Sequence, residues 1–401
     1  MPYLQDILGY LKVIHKIITF LLKVYKKKWK KIDYFYFSSY NKYNYYLYIG
    51  GMNNMKKILA VLCSAMLVMS LTACNSASQT TSTTPETQET SGPRTVKVGV
   101  SIYKFDDAFM TLYRNEIDRY FKTLNNDQVR YEVTIQDGKG DQAEQSNQID
   151  NFIAGGYDVL ILNLVQSTAA STVMDKCQDA GIPVVFINRE PSEEDMNSHN
   201  VGSYAGKFTY VGADARQSGR FQGELIADLP NKGDLNGDGV LQYVMIEGDP
   251  ENVDAQYRTE FSISQYKSVS GLDVECLQDQ VGNWQRPEGQ RIAADALTQY
   301  GDSIEAIFCN NDDMAMGAKV SIEAAGRTIN EDIYLVGVDA LAEAVDAVLA
   351  NQMTGTVLND HVGQSHQAVD CAVNVANGGK LNLYYWVDYV KVTPENASQY
   401  K

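Results

Sequence analysis

From Val96 onward, short runs of β-branched and aliphatic residues alternate with longer stretches in which apolar residues recur every three or four positions. The runs are Val96–Ile102, Tyr131–Ile135, Val159–Val165, Pro183–Asn188, Leu241–Glu247, Ile304–Asn310 and Ile333–Val338. They are almost continuously apolar, as strands of a parallel sheet must be when both faces are covered. Between them, Ala108–Leu124, Ala143–Ala154, Ala169–Ala180, Gln217–Leu229, Met314–Ala325 and Leu341–Leu349 carry helical spacing. This alternation predicts an α/β fold with doubly wound parallel sheets. In such sheets a ligand sits beyond the carboxyl ends of the strands, so the residues that close each strand are where chemistry is expected.

The pattern upstream is different. Met55-Lys56-Lys57 is followed by an apolar run, Ile58–Leu71, and then by Thr72-Ala73-Cys74. A charged start, an apolar centre and small residues describe a secretory signal over 55–73. The run is shorter than the roughly 20 residues of a comfortable membrane span. The L-T-A-C ending resembles the lipobox of bacterial lipoproteins, which implies cleavage before Cys74 and a diacylglyceryl group on its thiol, tying the chain to the outer face of the cell membrane. Two acyl chains give a stable anchor where one is marginal. Residues 74–94, rich in Ser, Thr, Gln and Pro, read as a disordered tether. Residues 1–54 hold ten of the 26 tyrosines with many lysines and isoleucines, as expected of AT-rich upstream DNA read as codons, and are set aside as mis-annotated translation. A transmembrane segment at Leu8–Val24 is the rival reading, and its interior Lys12, His15 and Lys16 oppose it.

Charge narrows the partners. From Cys74 to Lys401 the chain holds 23 Lys and Arg against 48 Asp and Glu, a net of −25. Such a surface repels nucleic-acid backbones. Of the six cysteines, Cys177, Cys276, Cys309 and Cys371 remain beyond the leader and Cys74. They are widely spaced without a C-x-x-C pair and read as small buried hydrophobes, with disulfides open in an oxidising compartment.

The strand ends share one chemistry. Tyr103-Lys104-Phe105-Asp106-Asp107-Ala108-Phe109 follows the first strand, Asn188-Arg189-Glu190 the fourth, and Asp249 to Asp254 with Arg258 the fifth. Asn310-Asn311-Asp312-Asp313 and Asp339-Ala340 close the last two. Planar amides and carboxylates suit vicinal hydroxyls, and Phe109 and Trp284 suit the CH faces of a pyranose. Asp and Asn are also favoured helix caps, which is the competing reading for Asp106, Asn310, Asp312 and Asp313 taken singly.

The motifs YKFDDAFM (103–110), FINREP (186–191), NNDDMAMGA (310–318), GVDALAEA (337–344) and GTVLND (355–360) resemble those of the galactose/glucose-binding proteins, solute-binding proteins of sugar ABC transport, across 95–401. The resemblance implies the periplasmic binding protein type 1 fold: two doubly wound parallel-sheet lobes joined by a three-strand hinge, a monomer with no catalytic residues. The N-terminal lobe would comprise 95–211 and 361–388, and the C-terminal lobe 215–357 and 392–401. Crossings would fall near Val211–Asp214, Val357–His361 and Tyr389–Val392. Position by position, Asp107, Asn188, Asp254, Arg258, Asn311, Asp339 and Asn359 would hold the hydroxyls and ring oxygen of a hexose, D-galactose or D-glucose, with Phe109 and Trp284 against its faces. Where that family has a histidine two residues before Asp254, this chain has Asn252, a shorter amide that is never charged near neutral pH. The choice among hexoses turns on it. The implied partners are an ABC permease and, with the same pocket, a chemoreceptor or sensor kinase.

Asp234-Leu235-Asn236-Gly237-Asp238-Gly239-Val240-Leu241-Gln242 follows the EF-hand loop, with side-chain oxygens at Asp234, Asn236, Asp238 and Gln242 and the Val240 carbonyl at the seventh place. Position 12 is Met245 in place of glutamate, and the resemblance implies that Glu305 supplies the missing carboxylate to a structural Ca²⁺. A metal-free turn is the alternative. Two other function classes compete. A glycosidase would use paired carboxylates, but here the carboxylates accompany Arg258 and amides. A sugar-responsive repressor would carry a basic N-terminal DNA-binding segment where this chain has its signal and acidic surface.

Overall fold

The computed structural model describes residues 92–401; the upstream segment, the signal, Cys74 and nearly all of the tether lie outside the described residues. Twelve strands and ten α-helices are present among the described residues. Strands β1 (Arg94–Ile102), β2 (Val129–Asp137), β3 (Val159–Leu162), β4 (Val184–Ile187), β5 (Phe208–Gly212) and β11 (Tyr384–Trp386) form a parallel sheet in the order β11-β5-β4-β3-β1-β2. A second parallel sheet, β7-β6-β8-β9, holds β6 (Val240–Glu247), β7 (Asp273–Val281), β8 (Ala306–Cys309) and β9 (Tyr334–Val336). β10 (Thr356–Leu358) and β12 (Val390–Val392) pair antiparallel beside it.

Each sheet is buried on both faces because its strands are apolar in both directions. Val-Leu-Ile-Leu of β3 and Val-Val-Phe-Ile of β4 are buried throughout. One face of the first sheet packs on α1 (Ala108–Leu124) and α10 (His361–Ala376), through Met110, Ile117, Phe121, Val369 and Ala372. The other face meets α2 (Gln142–Ala154) and α3 (Ala170–Ala180) through Ile149, Phe152, Val173 and Met174. In the second sheet α5 (Ala215–Ala227) and α6 (Val253–Ser270) cover one face, and α7 (Arg286–Tyr300) and α8 (Asp312–Ala324) the other. α5 and α6 approach closely because Gly223 faces Ser262: a Cβ there would lie 2.2 Å from the Ser262 carbonyl oxygen.

The chain passes between the sheets three times. It leaves β5 through Ala213 and Asp214, which caps α5 by accepting from the Arg216 N–H. It returns after β10 through Asn359 and Asp360, which caps α10. It crosses again from β11 to β12 through residues 387–389. The predicted elements are all present with ends moved by a few residues; β5, β7, β10, β11, β12, the helix Glu193–His199, α6, α7 and α10 are additional to the patterned runs. Cys177, Cys309 and Cys371 are buried free thiols. Cys276 corrects the expectation of burial: it lies exposed on β7, an edge strand.

Candidate functional site

The carboxyl ends of both sheets face one small cavity. Its lining brings together all ten residues that the family resemblance places around a sugar: Asp107, Phe109, Asn188, Asn252, Asp254, Arg258, Trp284, Asn311, Asp339 and Asn359. Tyr103 and Met110 line it as well, outside that set. The signal that could have found Tyr103 is its spacing from Asp107, to which its hydroxyl donates at 2.6 Å.

Capping and cavity-lining turn out to be one role. Asp107 caps α1 by accepting from the Met110 N–H at 2.7 Å, Asn252 caps α6 from the Asp254 N–H at 3.1 Å, and Asn311 caps α8 from the Met314 N–H at 3.0 Å. Each cap uses one side-chain oxygen, and each side chain still lines the cavity. The capping expected of the neighbours is displaced. Asn310 accepts from the Gly248 N–H, Asp312 from Thr356 and the Leu341 N–H, and Asp313 pairs with Arg286. Asp106 is exposed.

Several site residues occupy the left-handed backbone region: Asn188 at φ 60°, Trp284 at 65° and Asp339 at 123°. Strain of this kind persists only where the surroundings enforce it and concentrates at ligand sites. The Trp284 ring lies against Gly248, where a Cβ would come within 2.1 Å of it, so any larger residue at 248 would displace the ring.

Arg258 is the positive centre. It is buried and donates to the Asn310 carbonyl at 2.7 Å and to the Tyr389 hydroxyl, in the third crossing, at 3.1 Å. Its Nη atoms lie 3.9 Å from both Asp254 and Asp339, and its Nε has no partner. Burial works against its charge, but Tyr389 and the two carboxylates outweigh burial and raise its pKa. Asp254 receives no hydrogen bond from any described residue, and the Asn188 and Asn252 amide N–H₂ groups donate to none. Asp339 accepts only from Asn359, at 3.2 Å. Buried polar groups in proteins are almost always hydrogen-bonded. A cavity-lining set of acceptors and donors without protein partners suits a ligand bearing many hydroxyls.

Burial pushes the Asp254 carboxyl up to about 6 against the pull of Arg258, and the Asp312 carboxyl up to about 7 against hydrogen bonds from Thr356 and Leu341. The folded state thus binds these protons more tightly than the unfolded chain. Their contribution to stability is complete below about pH 4 and is lost as pH rises through 6 and 7. In the ligand-free protein, Asp254→Asn is expected to flatten the fall in Tm between pH 4 and pH 6. A pH profile unchanged by that substitution would contradict the assignment.

The loop before β6 gathers a second set of oxygens. Glu305, buried just ahead of β8, accepts from the Leu235 N–H at 2.6 Å, the Asn236 N–H at 3.1 Å and the Gln242 N–H at 3.0 Å. Asp234 accepts from the Gly237 and Gly239 N–H groups, and Asp238 from the Val240 N–H and the Gln242 side chain. No Lys or Arg among the described residues pairs with Asp234, Asp238 or Glu305. An all-oxygen, three-carboxylate set without a counter-charge suits a hard cation. The carboxylates face loop N–H groups, and among the described residues no three acidic, His or Cys side chains converge on one point.

Two parallel-sheet lobes closing a hydroxyl-matching cavity between them, with three chain crossings, define a two-lobed solute-binding protein. The chain belongs to the periplasmic binding protein domain family, whose profile matches residues 98–380. It is 35% identical over 286 residues to the D-galactose/methyl-galactoside binding periplasmic protein MglB of Haemophilus influenzae, spanning 70% of this chain and 82% of that protein. It is 23% identical over 284 residues to the ribose import binding protein RbsB of Bacillus subtilis, spanning 71% and 83%. Among solved structures, an ABC transporter solute-binding protein from Bacillus halodurans with bound myo-inositol superposes with a TM-score of 0.66 at 29% identity, covering 76% of this chain and 96% of that one. The chain is thus a sugar-binding substrate-binding protein of ABC transport, a non-enzymatic, extracytoplasmic class.

Proposed function

We propose that the protein captures a hexose, D-galactose or D-glucose, in this cavity and delivers it to an ABC permease. The observation that carries the reading is the pairing of two aromatic walls, Phe109 and Trp284, with cavity-lining acceptors and donors left without protein partners at Asp254, Asn188 and Asn252. Hydroxyls alternate as donor and acceptor, so one sugar ring can complete both sets. Asn252 presents a neutral donor, and the ring in the myo-inositol-bound relative makes another cyclic polyol the reading to exclude. A micromolar Kd corresponds to about −8 kcal/mol. The test is a tryptophan-fluorescence and calorimetric titration with galactose, glucose, ribose, xylose, arabinose and myo-inositol. Saturation by either hexose at micromolar concentration, with pentoses and inositol at least tenfold weaker, is the expected result. Silence towards both hexoses would overturn the substrate.

Two further elements belong to the proposal. The signal and Cys74 support anchoring by lipid at the outer face of the membrane, where a chemoreceptor or sensor kinase is a second possible recipient of the closed form. The loop Asp234–Gln242 with Glu305 is proposed to hold a structural Ca²⁺ through Asp234, Asn236, Asp238, the Val240 carbonyl, Gln242 and Glu305. A ligand that binds only the folded state adds about 2.7 kcal/mol at a hundredfold excess over Kd. A chelator is therefore expected to lower Tm by several degrees, and Ca²⁺ to restore it. An unchanged Tm on chelation, with no calorimetric signal on adding Ca²⁺, would leave the loop a metal-free turn.

A further inference from the structure

Arg189 is almost completely buried, 1% exposed, yet it is not part of the cavity lining. It follows Asn188, whose left-handed backbone turns the chain so sharply that the Arg189 N–H donates back to the Ile187 carbonyl at 2.7 Å. The turn leaves Asn188 in the cavity lining and carries the next side chain to the other lobe. There the guanidinium donates to Asp249 Oδ2 at 2.7 Å. On its own side it donates to the Val165 carbonyl and lies 3.9 Å from the centre of the Tyr103 ring. Arg189–Asp249 is the one ion pair joining the two sheet lobes among the described residues. Its Nε is buried without a partner, so the guanidinium holds its place at a cost.

Both ends of this pair lead to the cavity. Tyr103, under the guanidinium, donates to Asp107. Asp249 opens the turn that presents Asn252: its carboxylate accepts from the Glu251 N–H at 3.0 Å and its carbonyl from the Asn252 N–H at 3.0 Å. We infer that Arg189 is a positioning residue for capture, holding Asp249 across the cleft so that seating of the ligand against Tyr103 and Asp107 is coupled to closure of the lobes. This inference rests on the capture reading above. It assigns Arg189 and Asp249 the lifetime of the closed complex and leaves the choice of sugar to the lining. Encounter with the ligand precedes closure, so the pair acts on release. Breaking a close charge pair shows mainly in the dissociation rate.

The test is stopped-flow kinetics with galactose and glucose on the wild-type protein, Asp249→Asn, Arg189→Met and the double variant. Asp249 is a quarter exposed, so Asp249→Asn carries the test if Arg189→Met fails to fold. Dissociation is expected to speed up by roughly 10–100-fold in Asp249→Asn, with association changed less than about threefold. The galactose-to-glucose affinity ratio is expected to stay the same, and the double variant to cost less than the sum of the singles. A dissociation rate within about twofold of wild type, an altered sugar ratio, or strict additivity would each overturn the inference. If the wild-type protein binds neither hexose, it is the capture reading that fails. The latch is then judged by small-angle scattering, where a larger radius of gyration for Asp249→Asn supports it and an equal one overturns it.

Discussion

Arg258→Met is expected to abolish sugar binding and to destabilise the fold by about 3–5 kcal/mol, the usual cost of removing one partner from a buried charge cluster. The guanidinium compensates two carboxylates, Asp254 and Asp339, each 3.9 Å away and each nearly inaccessible to water. Without it they must protonate or remain as buried unpaired charge. The Asn310 carbonyl and the Tyr389 hydroxyl lose a donor at the same time. Tyr389 lies in the third crossing, where its N–H donates to Gln217 at 2.8 Å, so the damage extends from the cavity to the hinge. Chemical denaturation and calorimetric titration measure the two effects. Arg258→Lys keeps the charge but loses the planar fork, and separates charge from geometry: it is expected to recover more of the stability than of the affinity. An Arg258→Met protein that binds galactose or glucose within tenfold of wild type would remove Arg258 from the site.

Trp284→Ala is expected to weaken binding by about 100-fold and to cost the fold about 3–5 kcal/mol, as large-to-small changes of buried aromatics do. The ring is buried against Gly248 and within 5.6 Å of the Arg258 guanidinium. It therefore packs the C-terminal lobe and lines the cavity together. Trp284→Phe separates the two contributions, since a smaller aromatic face keeps part of the stacking and less of the packing. The fluorescence response to sugar is also expected to vanish in Trp284→Ala, because the other described tryptophan, Trp386, is half exposed on β11 away from the lining. A full response in that variant would mean that Trp284 does not contact the ligand.

Much of the architecture was legible from hydrophobic patterning because strands buried on both faces leave an unbroken apolar signature. Val159–Leu162 and Val184–Ile187 could hardly be anything else. β7 escaped that reading because it is an edge strand with exposed and half-buried positions and no buried face. Helix 253–270 escaped for the opposite reason. Its buried stripe is Asp254, Arg258, Ser262, Tyr266 and Ser270, one residue every fourth position, and that stripe is mostly polar. A hydrophobic period cannot register a helix whose inward face is a charged pair and small hydroxyls, although the spacing of four was present throughout.

The sequence by itself determined the strand–helix plan, the acidic surface and the strand-end residues with the chemistry to meet hydroxyls, since these follow from local pattern and side-chain type. Whether Asp107, Asn252 and Asn311 were caps or ligands was not decidable locally: a cap engages one atom of the side chain, and the direction of the others depends on the opposite lobe. Only the tertiary structure decided that these caps also line the cavity. Only the tertiary structure, too, set Arg189 against Asp249, 60 residues away, and Arg258 against Tyr389, 131 residues away. Such pairs are made by the meeting of two separately built sheets, and no local propensity encodes which strand ends will face each other across a cleft.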